Sequence, residues 1–163
     1  MKRLSIVIAV FAMICLASCG TKRSQAYYEN PSVVLSANYD GSYVIRVQVR
    51  AKDAAIAFTD GQRKAVEEVI FKGVKAGSNG ISDLKPLCFD LNARDKHEDY
   101  FNAFFKDGGA WTQYASLKDK RVGSTRYQRD GRQMVESVTV TVDRAGLQQR
   151  LRRDGIIPME GRY

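Results

Sequence analysis

Three cysteines and one histidine are the side chains of this 163-residue chain best suited to covalent or acid–base chemistry, and their settings differ. Cys19 follows Leu16-Ala17-Ser18 at the end of an almost wholly apolar run, Leu4 to Leu16, that Met1-Lys2-Arg3 precedes. A short cationic stretch, an apolar stretch and small residues before a cut is the layout of a secretory signal. The run is 13 residues long, whereas a helix needs about 20 apolar residues to cross the hydrocarbon core, so a spanning anchor is the poorer reading. Cys15 leaves with that signal. Cys88 sits in Pro86-Leu87-Cys88-Phe89 and is expected to be a small buried hydrophobe, because no neighbouring base or helix N-terminus is there to make a thiolate. With Cys15 gone, only Cys19 is left with which it could form an internal disulfide.

The histidine supports little catalysis. His97 lies among Asp95, Glu98 and Asp99, but adjacent helical positions point in different directions, so this is read as a charged first turn favoured by the helix dipole. A zinc site of the His/Cys type cannot be assembled from what remains. The Gly-x-Ser-x-Gly elbow that would support a Ser-His-Asp site is missing, as are glycine-rich phosphate loops of the standard spacings. We therefore expect no catalytic residues, no metal and no cofactor, in a protein that is not an enzyme. A small hydrolase depending on His97 or a carboxylate is the weakest alternative.

Cationic side chains are the other chemical feature. Arg144, Arg150, Arg152 and Arg153 lie on an expected C-terminal helix whose opposite stripe is Leu147 and Leu151, with Lys118, Lys120 and Arg121 upstream. Arg150 and Arg153, three apart, are expected to share one face and project into water. Either the arginines form a docking patch for an anionic partner or they are the solvated side of an amphipathic helix. Without Lys2 and Arg3, 24 of the 26 basic residues face 18 acidic ones, a net charge of about +6. In a secreted chain that balance points to headgroups, lipopolysaccharide, cell-wall glycan or acidic proteins, and no nucleic acid is expected as a partner.

Leu16-Ala17-Ser18-Cys19 resembles the bacterial lipobox. The resemblance implies that residues 1–18 are removed and that the Cys19 thiol is acylated with palmitate-type chains and becomes the first mature residue. The membrane is then a partner through lipid at Cys19. One myristoyl-sized chain anchors only marginally; the up to three chains implied here would hold permanently. Gly20-Thr21-Lys22-Arg23 lacks both the acidic stretch that resembles a surface-export signal and an Asp at the second mature position. Both absences favour the periplasmic face of the outer membrane.

The elements that must position these residues follow from periodicity. Residues 19–32 read as acylated cysteine and flexible tether, and 33–163 as a single α+β domain large enough to bury a core without a staple. Val33, Leu35, Ala37 and Tyr39, then Tyr43, Ile45, Val47 and Val49, alternate with their neighbours around Asp40-Gly41, which predicts a hairpin with a two-residue type I′ turn. Asp53 caps a helix carrying Phe58, Ala65, Val66, Val69, Ile70 and Val74, with a start at Thr59 as fallback and Gly61 as a weak point. A second helix over 95–106 gathers Tyr100, Phe101, Phe104 and Phe105, with Trp111 and Tyr114 beside it. A strand from Arg121 to Arg129, Asp130-Gly131, the Val138-Val140-Val142 strand and an Asp143-capped helix ending at Gly155 repeat the opening grammar. The fold expected is α+β: an antiparallel sheet of about four strands in two hairpins, with helices packed on one face.

The strand followed by Ala-Val-Glu-Glu-Val-Ile-Phe-Lys-Gly-Val (65–74), Tyr-Phe-Asn-Ala-Phe-Phe-Lys-Asp-Gly-Gly (100–109), and the closing Val-Thr-Val, short helix and Gly-Ile-Ile resemble an uncharacterised group of Bacteroidota-type envelope lipoproteins. More loosely, the arrangement is similar to the N-terminal domain of flagellar assembly protein T and related outer-membrane lipoproteins. The first likeness transfers no functional residue. The second implies structural or assembly work at the outer membrane, by analogy of fold. The function expected is a lipid-anchored, periplasm-facing, non-catalytic adaptor or assembly factor that binds another envelope protein. The alternative is a binding module for anionic cell-wall glycan or lipopolysaccharide.

Overall fold

A computed structural model describes residues 32–77, 80–117, 128–130 and 133–159. The signal, Cys19, all of the tether but Ser32, Lys118, Lys120, Arg121, Gly131 and most of the expected 121–129 strand lie outside the described residues. The elements are β1 (Val33–Ala37), β2 (Ser42–Ala51), α1 (Ala54–Phe71), β3 (Lys75–Ala76), α2 (Ala93–Lys96), α3 (Glu98–Phe105), a 3-10 turn (Ala110–Tyr114), β4 (Ala115–Leu117), β5 (Gln128–Asp130), β6 (Gln133–Asp143) and α4 (Arg144–Arg153).

The architecture is α+β, but the sheet is mixed. Its strands run in the order β3-β1-β2-β6-β4, with β5 also paired to β6. β2 and β6 form the centre, antiparallel from Ser42↔Asp143 to Ala51↔Met134. β1, β4 and β5 add antiparallel pairs, whereas β3 runs parallel to β1. The expected sheet of about four antiparallel strands is corrected on two points. β3 and β4 are two and three residues long, too short to show an alternation. β1 and β3 can lie parallel because β2 and α1 both intervene between them in the chain, a connection long enough for the crossover that parallel neighbours require.

The first hairpin forms where expected, but its turn differs. Gly41 alone takes a left-handed φ, of 80°, and among the described residues no residue other than glycine has positive φ. A type I′ turn needs two such residues. Instead the Gly41 N–H donates to the Asn38 carbonyl and the Asn38 N–H to the Ser42 carbonyl, which makes a three-residue loop closed by a glycine bulge. The Asp40 carboxylate accepts from the backbone N–H (2.9 Å) and hydroxyl (2.7 Å) of Ser42, and those bonds hold its pKa below the usual carboxylate range. A register shift between Val34 and Ser36 then turns Val34, not Val33 or Leu35, into the fully buried residue of β1, and leaves Tyr39 in water.

The core gathers Ile45, Val47 and Val49 of β2 with Val138, Val140 and Val142 of β6, and the buried faces of α1, α3 and α4 join them in one cluster. Asp53 caps α1 as expected, accepting from the Ile56 N–H at 2.9 Å. Gly61 is no weak point in this packing. A Cβ there would lie 2.8 Å from Val138 Cβ, so the glycine lets the helix lie close on β6. α1 ends at Phe71, so Val74, expected on the helix, lies beyond it and bridges Leu84, because Gly73 with its left-handed φ of 76° turns the chain out of the helix. The expected helix over 95–106 is shorter: α2 and α3 are separated at His97, whose φ and ψ of −123° and 38° are not helical. Phe101, Phe104 and Phe105 are buried. Phe101 meets Phe71 of α1 edge-on at 4.7 Å, and Tyr114 stacks on Phe104 at 6.2 Å. Trp111 is 2% exposed and donates its Nε1–H to the Lys106 carbonyl at 3.0 Å.

Candidate functional site

The sequence places the cationic candidates on α4, and the local chemistry of that helix explains how they are held. The Asp143 carboxylate accepts from the Gly146 N–H at 2.8 Å and starts the helix. Leu147 and Leu151 are fully buried and fix which side faces the core. At the far end the Gly155 N–H donates to the Arg152 carbonyl and the Ile156 N–H to the Leu151 carbonyl, the bond pair of a Schellman turn, with Gly155 left-handed at φ of 73°. Ile156 packs back on the core. Gly155 thus does the work its sequence position predicted.

The four arginines do not form one patch. Arg144 reaches the Lys85 carbonyl at 3.4 Å. Arg150 does not project freely into water: it pairs with Asp154, whose carboxylate also accepts from the Tyr100 hydroxyl at 2.8 Å. This correction has a plain cause. Asp154 sits one turn beyond Arg150, and α3 packs beside it, so the guanidinium finds an acid and a phenol nearer than solvent. Burial pushes the Asp154 carboxyl up, but hydrogen bonds from Arg150 and Tyr100 outweigh it and hold the group below the usual carboxylate range. Burial, reinforced by the adjacent carboxylate, pushes the Tyr100 phenol up. Asp154 is therefore the tie between the end of α4 and α3, and Arg150 is engaged by it.

Arg153 remains outward. Its side chain is 69% exposed and its Nε lies 3.8 Å from Asp154 Oδ1, too long for a hydrogen bond. Arg152, Arg153 and residues 155–159 line an open groove of about 480 Å³. Sequence reasoning did not identify residues 155–159 as part of it. Their signal was present, since Ile156-Ile157-Pro158-Met159 is an apolar run following a helix-ending glycine, but it reads as ordinary core until the turn is known. A second groove, of about 340 Å³, is lined by Asp40, Ser42, Gln113, Tyr114, Thr141 and Asp143 among others. Its carboxylates are already engaged, Asp40 by Ser42 and Asp143 by Gly146.

The remaining candidates are placed as follows. Cys88 is buried, and burial together with the Asp90 charge pushes its thiol up to about 11, the opposite of a reactive thiolate. His97 is half-buried at the α2–α3 break, while Asp95, Glu98 and Asp99 are exposed. Among the described residues no group of three or more His, Cys, Asp or Glu side chains is placed to hold a metal ion, and no helix is long and apolar enough to cross a membrane. The lipidation candidate, Cys19, lies outside the described residues. Comparison with family models, with curated proteins and with solved structures gives no match to this chain.

Proposed function

We propose that this chain is a lipid-anchored envelope lipoprotein, held by acyl chains on Cys19 at the periplasmic face of the outer membrane, and that it works there as a non-catalytic adaptor or assembly factor. The observation that carries the reading is Leu16-Ala17-Ser18-Cys19 at the end of a 13-residue apolar run. Thirteen residues from Gly20 to Ser32 reach at most about 45 Å when fully extended, which keeps the folded part beside its membrane. The resemblance to the N-terminal domain of flagellar assembly protein T implies the assembly role, by analogy of fold. A second reading, a module for anionic cell-wall glycan or lipopolysaccharide, is favoured by the outward Arg153 beside the groove.

The anchoring part is tested with Cys19→Ser. The variant should take up no labelled fatty acid and should either leave the membrane fraction or remain unprocessed. A variant that is processed yet still membrane-bound would show that a protein partner, not lipid, holds the chain. In-cell crosslinking with mass spectrometry then separates the two roles. Specific envelope proteins support the adaptor, and salt-sensitive retention on purified cell wall supports the glycan module.

A further inference from the structure

We propose that the turn at residues 89–92 dips Phe89 and Leu91 into the interface of the phospholipid leaflet that holds the Cys19 acyl chains; this rests on the anchored reading above. Phe89 is 75% and Leu91 96% exposed. Both are kept out by what holds the turn. Just before them Leu87 and Cys88 are buried, and their N–H groups donate to the Val69 carbonyl at 3.1 Å and the Ile70 carbonyl at 2.8 Å, at the end of α1. Just after them Ala93 is buried, and its N–H donates to the Asp90 carbonyl at 3.0 Å. The Asp90 carboxylate accepts from the Asn92 N–H at 2.9 Å and pairs with Lys96. The turn is thus pinned at both ends, and its two large apolar side chains are presented side by side.

The occupant is indicated by where the tether enters the domain. Ser32, its last residue, leads into β1, whose Val33 lies beside Lys75 of β3. Val74, the residue before β3, bridges Leu84 on the other side. Leu84 is therefore two strand spacings, about 10 Å, from the entry of the tether. Phe89 comes at most about 18 Å further along the chain. A tether that extends to about 45 Å spans both steps, so the turn and the anchor can meet one leaflet. The exposed charges around the turn balance, with Lys85, Arg94 and Lys96 against Asp90, Asp95 and Glu98. An apolar pair amid balanced charge suits the boundary between headgroups and acyl chains, and it offers little to an anionic glycan. Two side chains also fall well short of the roughly 800 Å² that a specific protein interface covers on each partner. A leaflet already joined to the domain needs no such area, because the tether gives it a high effective concentration.

The test uses the full acylated chain in phosphatidylcholine vesicles, with a fluorescent dye on Leu91→Cys. Cys88 is buried and its thiol pushed up to about 11, so the dye goes to position 91. A spin label carried near the top of the acyl chains should quench the dye at least about twofold. Adding Phe89→Ser should remove most of that quenching. Both positions are exposed, so neither substitution takes packing from the core. Because the insertion is apolar, about 0.5 M salt should leave the quenching intact. No quenching by the lipid-borne label, equal quenching in the Phe89→Ser variant, or quenching that salt abolishes would overturn the proposal. The mass of the purified chain checks the anchored reading separately, and a chain without acyl groups would overturn that reading alone. The mature chain held on nickel-chelating lipid through an N-terminal histidine tag would then let the same quenching decide the insertion.

Discussion

Two units of this molecule share one local grammar and come to different ends. In each, a long strand of the central pair runs into a helix capped by aspartate: β2 into α1 through Asp53, and β6 into α4 through Asp143. Both carboxylates accept from a backbone N–H three residues on, at 2.9 and 2.8 Å. Beyond the cap they diverge. α1 has 18 residues and buries a stripe of small ones, Ala57, Gly61 and Ala65, together with Val66, Val69 and Ile70. α4 has 10 residues and buries only Leu147 and Leu151. Small residues at every fourth position let α1 come down on β6. Large leucines on a short helix hold α4 by two points and leave Arg153 outward. The cap decides where a helix begins, and the width of the apolar stripe decides whether it is enclosed or presented.

That difference can be broken or sharpened. The largest effect should come from the aromatic bridge that backs both units: Phe101→Ala removes a ring in contact with Phe71 of α1 and should lower unfolding free energy by about 3–5 kcal/mol. Denaturant titration gives the value, and an unchanged midpoint would mean that the ring is not core. Gly61→Val comes next. Its side chain would overlap Val138, and overpacking of this kind costs about 1–3 kcal/mol; a stabilised variant would show that α1 does not need its close approach. The caps should then behave as equals. Asp53→Ala and Asp143→Ala should each cost about 1 kcal/mol, measured side by side, and a much larger loss in one would separate the two units at their start rather than their face.

Two smaller effects concern α4 alone. Because Asp154 is held below the usual carboxylate range in the folded chain, its contribution is present above the unfolded carboxylate pKa of about 3.9 and is lost as pH falls through the folded value. Asp154→Asn should therefore flatten the fall in stability on the acid side, as read from melting temperature against pH. The smallest change is expected for Arg153→Glu, which should move stability by less than about 0.5 kcal/mol because the side chain is exposed. A loss comparable to that of Arg150→Ala would mean that the two arginines are equally tied down.

Much of this was legible in the residues. The two aspartate caps, the Gly155 terminator, the Leu147/Leu151 stripe, the buried Cys88 and the aromatic cluster of α3 were all read from spacing. The errors have identifiable causes. The turn at Asp40-Gly41 went wrong because Asp-Gly suits more than one loop length, and the choice lay in how Asn38 and Ser42 bond across the strand ends. Gly61 was read by propensity, which ranks glycine as a poor helix former, whereas its neighbour in space is Val138, 77 positions away. Arg150 was read as a solvated face although its partner Asp154 is only four residues on; what spacing could not show is that Tyr100, on another helix, holds that carboxylate in place.

The sequence by itself determined what depends on near neighbours: the apolar run and Cys19, the alternation of β2 and β6, the caps, and which side of each helix is apolar. These are properties of side-chain period and of backbone groups a few residues apart, so no folding is needed to infer them. Only the tertiary structure decided the parallel placement of β3 beside β1, the close seating of α1 on β6, and the division of the arginines into one tied to Asp154 and Tyr100 and one left outward. Each depends on which distant residues meet, and a charge or a glycine takes its role from the neighbour that the fold brings within a few ångströms.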